Sequence, residues 1–378
     1  MIRVGVVSPE PTPYRAPLYD RIANEPGIDL TVVYAAATVA ARRWRVVSAH
    51  RALTLTGVSL PLEHLLGHAY PVTPSIWSLL SRERFDVVVI AGWSLFAAQA
   101  AVLWCRIHRV PYLLTSESHL LDPRPRWVAG LKRLLLPRVV APAAGWLVTG
   151  SLAADCVVAY GADPRRVRIF ANTVDVERVG AVVDRARERR AELRASLGFS
   201  ADDVVVAHVG RLDSLKGVDT LVRAVGRAGP GLRLLLIGES NERDTLDRKA
   251  AAVGVQIEFA GFREGDELLE LYAAADVFAL LSRTETWGVV VNEAAAAGLP
   301  LVLSSRVGAA ADLLRDGENG TLVPIDDEVA AAAALRRLAD DPGLRARYGA
   351  CARVVASEWG YPPSIAAFVE AVREAVSR

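Results

Sequence analysis

The chain predicts a two-domain parallel α/β protein, and three observations carry that prediction. Short apolar runs rich in β-branched residues alternate with helical stretches, the pattern of parallel sheets joined by crossover helices. The runs fall into two similar blocks: residues 4–8, 30–34, 87–91, 112–115, 145–149 and 167–170, then residues 204–209, 233–237, 257–260, 277–280, 301–304 and 321–323. At 378 residues the chain is also longer than the range over which one hydrophobic core keeps growing. Two Rossmann-like domains therefore fit better than one long sheet. The expected boundaries are a first domain over 1–175, a strongly charged linker helix over 176–200, a second domain over 201–356 and a closing helical segment over 357–378, set off by Pro362-Pro363.

Composition narrows the function class. With 52% apolar and 23% charged residues the chain reads as a folded soluble protein, and a net charge of +1 argues against a general nucleic-acid binder. Cys105, Cys156 and Cys351 are dispersed, odd in number and without metal-ligand spacing, so they read as reduced core thiols of a cytoplasmic protein with no metal site. The first residues read as a strand, without the charged, apolar and small-residue regions of a secretory signal. Residues 87–105 carry no charge over 19 positions and reach the length of a spanning helix. Their β-branched start, the break at Gly92-Trp93-Ser94 with Ser94 as a helix cap, and Gln99 predict strand, turn and buried helix instead.

Two motifs carry chemistry. The apolar strand over 204–209 runs into Gly210-Arg211-Leu212-Asp213-Ser214-Leu215-Lys216-Gly217, followed by a helix expected over 220–228. Strand, glycine turn and helix is the arrangement in which α/β sheets bind phosphate on backbone N–H groups, and Arg211 and Lys216 add positive charge. Only three lysines stand among 44 basic residues, so a lysine here departs from the chain's habit of using arginine. Downstream, Thr284-Glu285-Thr286-Trp287-Gly288-Val289-Val290-Val291-Asn292-Glu293 places two carboxylates eight positions apart around a glycine turn. The helix is expected to begin near Gly288 or Val289 and to stop at Gly298-Leu299-Pro300, with Glu285 before it and Glu293 one turn inside. A loop carboxylate and a helix carboxylate facing one pocket suit the hydroxyls of a nucleotide sugar. Each motif alone also reads as a solvated cap or an amphipathic helix start; their combination favours a site.

Together these motifs resemble the retaining glycosyltransferases of the GT-B fold, family 4 (glycosyl transferases group 1) in particular. The resemblance is specific over 204–323 and only architectural before that. It implies two Rossmann-like domains facing across a cleft, a last helix crossing back to the first domain, and transfer from a nucleotide-diphosphate sugar to a hydroxyl acceptor with no metal or further cofactor. It implies that Glu285 contacts the transferred sugar, Glu293 the nucleotide ribose, and Arg211 and Lys216 the pyrophosphate. Gly210, Trp287, Gly288 and Val289 would line the donor site, and Phe262 and Arg263 would sit near the base. His119, or alternatively Glu117, in Thr115-Ser116-Glu117-Ser118-His119 takes the place of a cleft residue facing the sugar. The catalytic set is thus Glu285, His119, Arg211 and Lys216. Many relatives carry a Gly-Gly pair after the first strand; here Pro9-Glu10-Pro11-Thr12-Pro13 stiffens the turn and removes N–H donors. Tyr14 and Arg15 are expected near the acceptor together with Glu117 and His119. Transfer would follow a front-face path with retention.

The acceptor is the least legible part. Residues 124–138 mix five basic residues with Trp127 and leucines, as an interfacial helix on anionic lipid would, which points to a lipid-linked glycan and a peripheral place at the inner membrane face. The same helix also reads as an ordinary cover on the sheet. Arg42, Arg43, Trp44 and Arg45 suit a mobile acceptor loop, and a bacterial glycan or a natural product fits equally. A nucleotide-sugar epimerase or a non-catalytic sugar-nucleotide-binding protein on the same scaffold are the alternatives.

Overall fold

The computed structural model describes the chain except residues 38–45, 61–69, 122–125 and 241. Arg42, Arg43, Trp44, Arg45 and Arg124 lie outside the described residues. The chain divides into two compact units, Met1–Asn172 with Tyr361–Arg378, and Thr173–Gly360.

The first unit is built on seven parallel strands: β1 (Ile2–Ser8), β2 (Ile28–Tyr34), β3 (Arg51–Thr54), and, after a short antiparallel pair of β4 (Val58–Leu60) and β5 (Tyr70–Val72), β6 (Val87–Ala91), β7 (Tyr112–Ser116), β8 (Gly145–Val148) and β9 (Val167–Ile169), in the order β3-β2-β1-β6-β7-β8-β9. Val87, Val88, Val89 and Ile90 of β6 are all fully buried, because helices cover both faces of a parallel sheet and leave no polar side for the strand to alternate with. That is why the apolar runs were readable, whereas β3, an edge strand with three exposed residues, was missed.

Three local expectations change. Residues 87–105 do form a strand and a helix, Phe96–His108, but the residue at the helix start is Leu95 and no side chain caps it, so Ser94 is not the cap. Among the described residues no helix is long and apolar enough to cross a membrane. At the other end, Pro362 and Pro363 do not break the chain. They occupy the first turn of the helix Tyr361–Val376, where no intrahelical N–H is needed, and the break falls at Trp359-Gly360 after the helix Pro342–Glu358. The Tyr361–Val376 helix buries Phe368 and Val372 in the same cluster as Val4, Val89 and Phe170 of the first unit.

The second unit carries β10 (Val204–Val209), β11 (Leu232–Ile237), β12 (Ile257–Gly261), β13 (Val277–Leu280), β14 (Leu301–Ser304) and β15 (Gly320–Val323), parallel, in the order β12-β11-β10-β13-β14-β15. The charged segment expected as one linker helix is two helices, Val176–Arg187 and Arg190–Ser196, packed into this unit. Its arginines are structural: Arg194, 6% exposed, donates to the carbonyl of Ala274 at 3.0 Å, and Arg190 and Arg194 both pair with Asp276. They satisfy the carbonyls at the end of the helix Gly265–Ala274, where cations are favoured. In each sheet the strand order reverses at the first strand, between β1 and β6 and between β10 and β13. Ligands of open parallel sheets bind outside the carboxyl ends of the strands at such reversals.

Candidate functional site

The two sequence motifs meet at the reversal of the second sheet. β10 runs into Gly210 and the turn that carries Arg211 and Lys216; its neighbour β13 feeds the loop that carries Glu285. The first turn is organised by Asp213, whose carboxylate accepts from the backbone N–H of Lys216 at 3.0 Å and pairs with Arg211 at 3.3 Å. Gly217 then reverses the chain with φ +68° before the helix Val218–Ala228; a Cβ there would lie 2.0 Å from the carbonyl oxygen of Leu281, so the turn and the β13 loop touch only because the residue is glycine.

Arg283 clamps the two together. Its guanidinium takes both oxygens of Asp219 at 2.9 and 3.1 Å and reaches Asp326 at 2.8 Å, while its own N–H donates to the carbonyl of Leu215 at 2.8 Å. The Asp219 carboxyl, although burial opposes its charge, is held below the usual range by Arg283 and Arg223. Sequence reading missed Arg283 and Asp213. Asp213 had a signal, an aspartate three residues before the lysine at a helical turn; Arg283 had none, because its partner is 64 residues away.

Lys216 and Glu285 are in direct contact through Nζ and Oε2, with 18% and 17% of their side chains exposed. Glu285 is held at both ends of its peptide: its N–H donates to Arg306 at 3.1 Å and its carbonyl accepts from Gly308 at 2.9 Å. The helix Val289–Ala296 starts from Gly288 at φ +94°, where a Cβ would also approach the Glu285 side chain to 3.2 Å. The start of this helix therefore lies beside the carboxylate. Arg211 stands open, 68% exposed.

Beneath the turn lies His208 on β10, fully buried. Burial pushes its pKa down to about 4, so the ring is neutral at pH 7. Its Nδ1 lies 3.2 Å from the carbonyl of Ala279, and a Cβ added at Gly210 would lie 3.8 Å from its Nε2. A histidine inside an otherwise apolar strand was a visible signal that sequence reading passed over.

Other expected donor residues change. Trp287 turns its side chain into the core: it is 4% exposed, donates Nε1–H to Asn292 at 3.0 Å and lies against Trp359 at 5.8 Å. Burying so large an apolar ring outweighs exposing it, and only its backbone remains for a ligand. Glu293 is partly accessible, but its carboxyl accepts from the Tyr272 hydroxyl at 3.0 Å and is closely packed by protein, which pushes its pKa up to about 7. Phe262 is exposed after β12, and Arg263 folds back on the Phe262 carbonyl at 2.8 Å. Val289 is the first residue of the helix and half-buried.

In the first unit the corresponding turn, after β1, is spent on structure. Arg15 donates to the carbonyls of Ala171 and Phe170 at 3.0 and 3.1 Å, and its guanidinium lies 4.2 Å over the Phe170 ring. These contacts brace the turn against the end of β9. Tyr14 is half-buried. After β7, Glu117 is exposed and His119 is 2% exposed. Two cavities among the described residues, of about 470 and 410 Å³, lie elsewhere, near Arg106, Tyr112 and Arg378 and near Arg187, Asp276 and Arg353, at the amino-terminal edges of the sheets; no candidate residue lines them.

The chain thus holds two doubly wound parallel units, one with two basic side chains and a carboxylate at the reversal point of its sheet. The model for "Glycosyl transferases group 1" matches residues 189–355 and that for "Glycosyltransferase Family 4" matches residues 23–178. Each half of the chain thus matches a glycosyltransferase family model, and the fold is GT-B. It is 34% identical over 235 residues to a D-inositol 3-phosphate glycosyltransferase of Xylanimonas cellulosilytica, covering 60% of this chain and 55% of the relative. To the lipopolysaccharide core biosynthesis glycosyltransferase LpsE of Rhizobium meliloti it is 38% identical over 185 residues, 48% of this chain and 50% of that one. The chain thus spans about half the length of these curated relatives. Among solved structures, HepE of Anabaena in complex with UDP superposes with a TM-score of 0.75 at 20% identity over 98% of this chain and 99% of that one. Sucrose-phosphate synthase of Thermosynechococcus elongatus gives 0.76 at 19%, over 99% and 98%. At such identities the likeness is one of fold.

Proposed function

We propose that the chain is a retaining glycosyltransferase that moves a sugar from a nucleotide-diphosphate sugar to a hydroxyl acceptor. The observation that carries this reading is the meeting of Arg211, Lys216 and Glu285 at the reversal between β10 and β13. As the bond between sugar and diphosphate breaks, negative charge grows on the leaving oxygen; fixed cations there stabilise the transition state more than the ground state. Arg211 and Lys216 take that role without a metal. Glu285 accepts from hydroxyls of the transferred sugar, Glu293 from the ribose, and the backbone of Gly210, Gly288 and Val289 with Phe262 and Arg263 completes the donor site. The leaving phosphate oxygen takes the acceptor proton on the same face of the ring, which retains configuration. HepE binds UDP, so UDP-sugars are the first donors to try.

On the acceptor side, Tyr14, Glu117 and His119 follow strand ends of the first sheet and are the residues assigned to acceptor contact. The helix Arg126–Leu135 exposes Trp127, Leu131 and Leu134 beside Arg133. An apolar stripe flanked by basic charge suits an anionic bilayer surface, which favours a lipid-linked acceptor met at the cytoplasmic membrane face. The deciding experiment is release of nucleotide from a UDP-sugar as a function of added acceptor. Acceptor-dependent release supports transfer; interconversion of sugar nucleotides without acceptor would mean an epimerase, and binding without turnover a silent binder.

A further inference from the structure

Lys216 and Glu285 occupy each other. To an ammonium, a carboxylate oxygen and a phosphate oxygen are the same kind of acceptor. A diphosphate that takes Lys216 therefore competes with Glu285 for it. Neither group can step aside cheaply, since the Lys216 peptide is fixed by Asp213 and the Glu285 peptide by Arg306 and Gly308. Both side chains are more than four-fifths buried, so a carboxylate deprived of its cation is left poorly hydrated.

We infer that Glu285 is a specificity-determining residue that makes the site prefer a sugar-linked diphosphate over a free one. This deepens the donor-site reading and rests on it. An intact donor brings hydroxyls that donate to the displaced carboxylate and replace what Lys216 gave it. A free nucleoside diphosphate brings no such donor and carries more negative charge on its terminal phosphate. The Lys216–Glu285 contact thus acts as an internal competitor that the donor satisfies and the spent nucleotide does not, so it favours product release after each transfer.

Isothermal titration of inorganic pyrophosphate, UDP and UDP-glucose tests this on wild type, Glu285→Gln, Lys216→Met and the double variant, each checked for an unchanged thermal transition. Pyrophosphate and UDP should bind Glu285→Gln about tenfold more tightly than wild type, the scale of one charge-assisted hydrogen bond. The advantage of UDP-glucose over UDP should shrink by a similar factor. In the Lys216→Met background, Glu285→Gln should no longer tighten either diphosphate, which separates competition for the lysine from a general gain in positive charge. Wild type that binds pyrophosphate while Glu285→Gln binds it no better, or an equal gain without Lys216, overturns the inference and leaves the donor site standing. Absence of pyrophosphate and UDP binding in wild type and Glu285→Gln alike overturns the donor site and this inference together.

Discussion

The turns after β1 and after β10 hold the same topological place in two sheets of the same kind, yet they spend their charge differently. After β1, three prolines precede Arg15, and its guanidinium is consumed by two carbonyls and an aromatic face. After β10, the organising bonds are made by Asp213, Gly217 and Arg283, which leaves Arg211 open and Lys216 facing a carboxylate. A doubly wound fold supplies a position for chemistry, and the local economy of hydrogen bonds decides whether that position has any free.

The comparison breaks most sharply at Glu285. Replacing it by Ala should lower transfer by about 10²–10³-fold in kcat, as removal of a transition-state contact does. A modest fall in the thermal transition, from the Lys216 ammonium left without its partner, should accompany it; retained transfer would remove Glu285 from the site.

Gly217→Ala should act on the framework instead. The residue sits at φ +68° and its Cβ would meet the Leu281 carbonyl at 2.0 Å. A loss of about 2–4 kcal/mol of stability, read from the urea midpoint, is the expected result. An unchanged midpoint would mean that the turn and the β13 loop are not in close contact.

Arg15→Met sharpens the contrast from the other side. Two carbonyls lose their donor, which should cost about 1–2 kcal/mol of stability while UDP affinity is unaltered. Weakened UDP binding with normal stability would reverse the roles assigned to the two turns.

The smallest effect is expected at Glu293, whose pKa is raised from 4.5 to about 7, chiefly by burial. Because the folded chain holds this proton more tightly than the unfolded chain, its contribution to stability is full below about pH 4.5 and is lost as pH rises through about 7. Glu293→Gln should therefore melt higher than wild type above pH 7, with the difference vanishing near pH 4. Parallel melting curves across this range would contradict the assignment.

Sequence made the strands and both motifs legible for one physical reason: runs buried on two faces, and glycines at turns that no other residue tolerates, leave strong local marks. Side-chain direction left none. Trp287 looks like a ligand contact in sequence, but its ring is decided by Asn292 and Trp359, partners set by the fold. Arg15 likewise finds carbonyls 155 and 156 residues away, and the arginines of 176–200 find Asp276 some eighty residues on. The pairing of Lys216 with Glu285 spans 69 residues, although each half was read correctly as charged and turn-borne.

The central claim, a diphosphate-sugar site at the β10/β13 reversal, is tested most directly by thermal stability against UDP-, GDP-, ADP- and dTDP-sugars in wild type and in Lys216→Ala. Ligand at about 100 times its Kd should add roughly 2.7 kcal/mol to the binding-competent state, a shift of a few degrees. The account predicts that one nucleotide family gives this shift in wild type and that it is lost in Lys216→Ala. No shift with any sugar nucleotide, or a shift that survives the loss of Lys216, would contradict it.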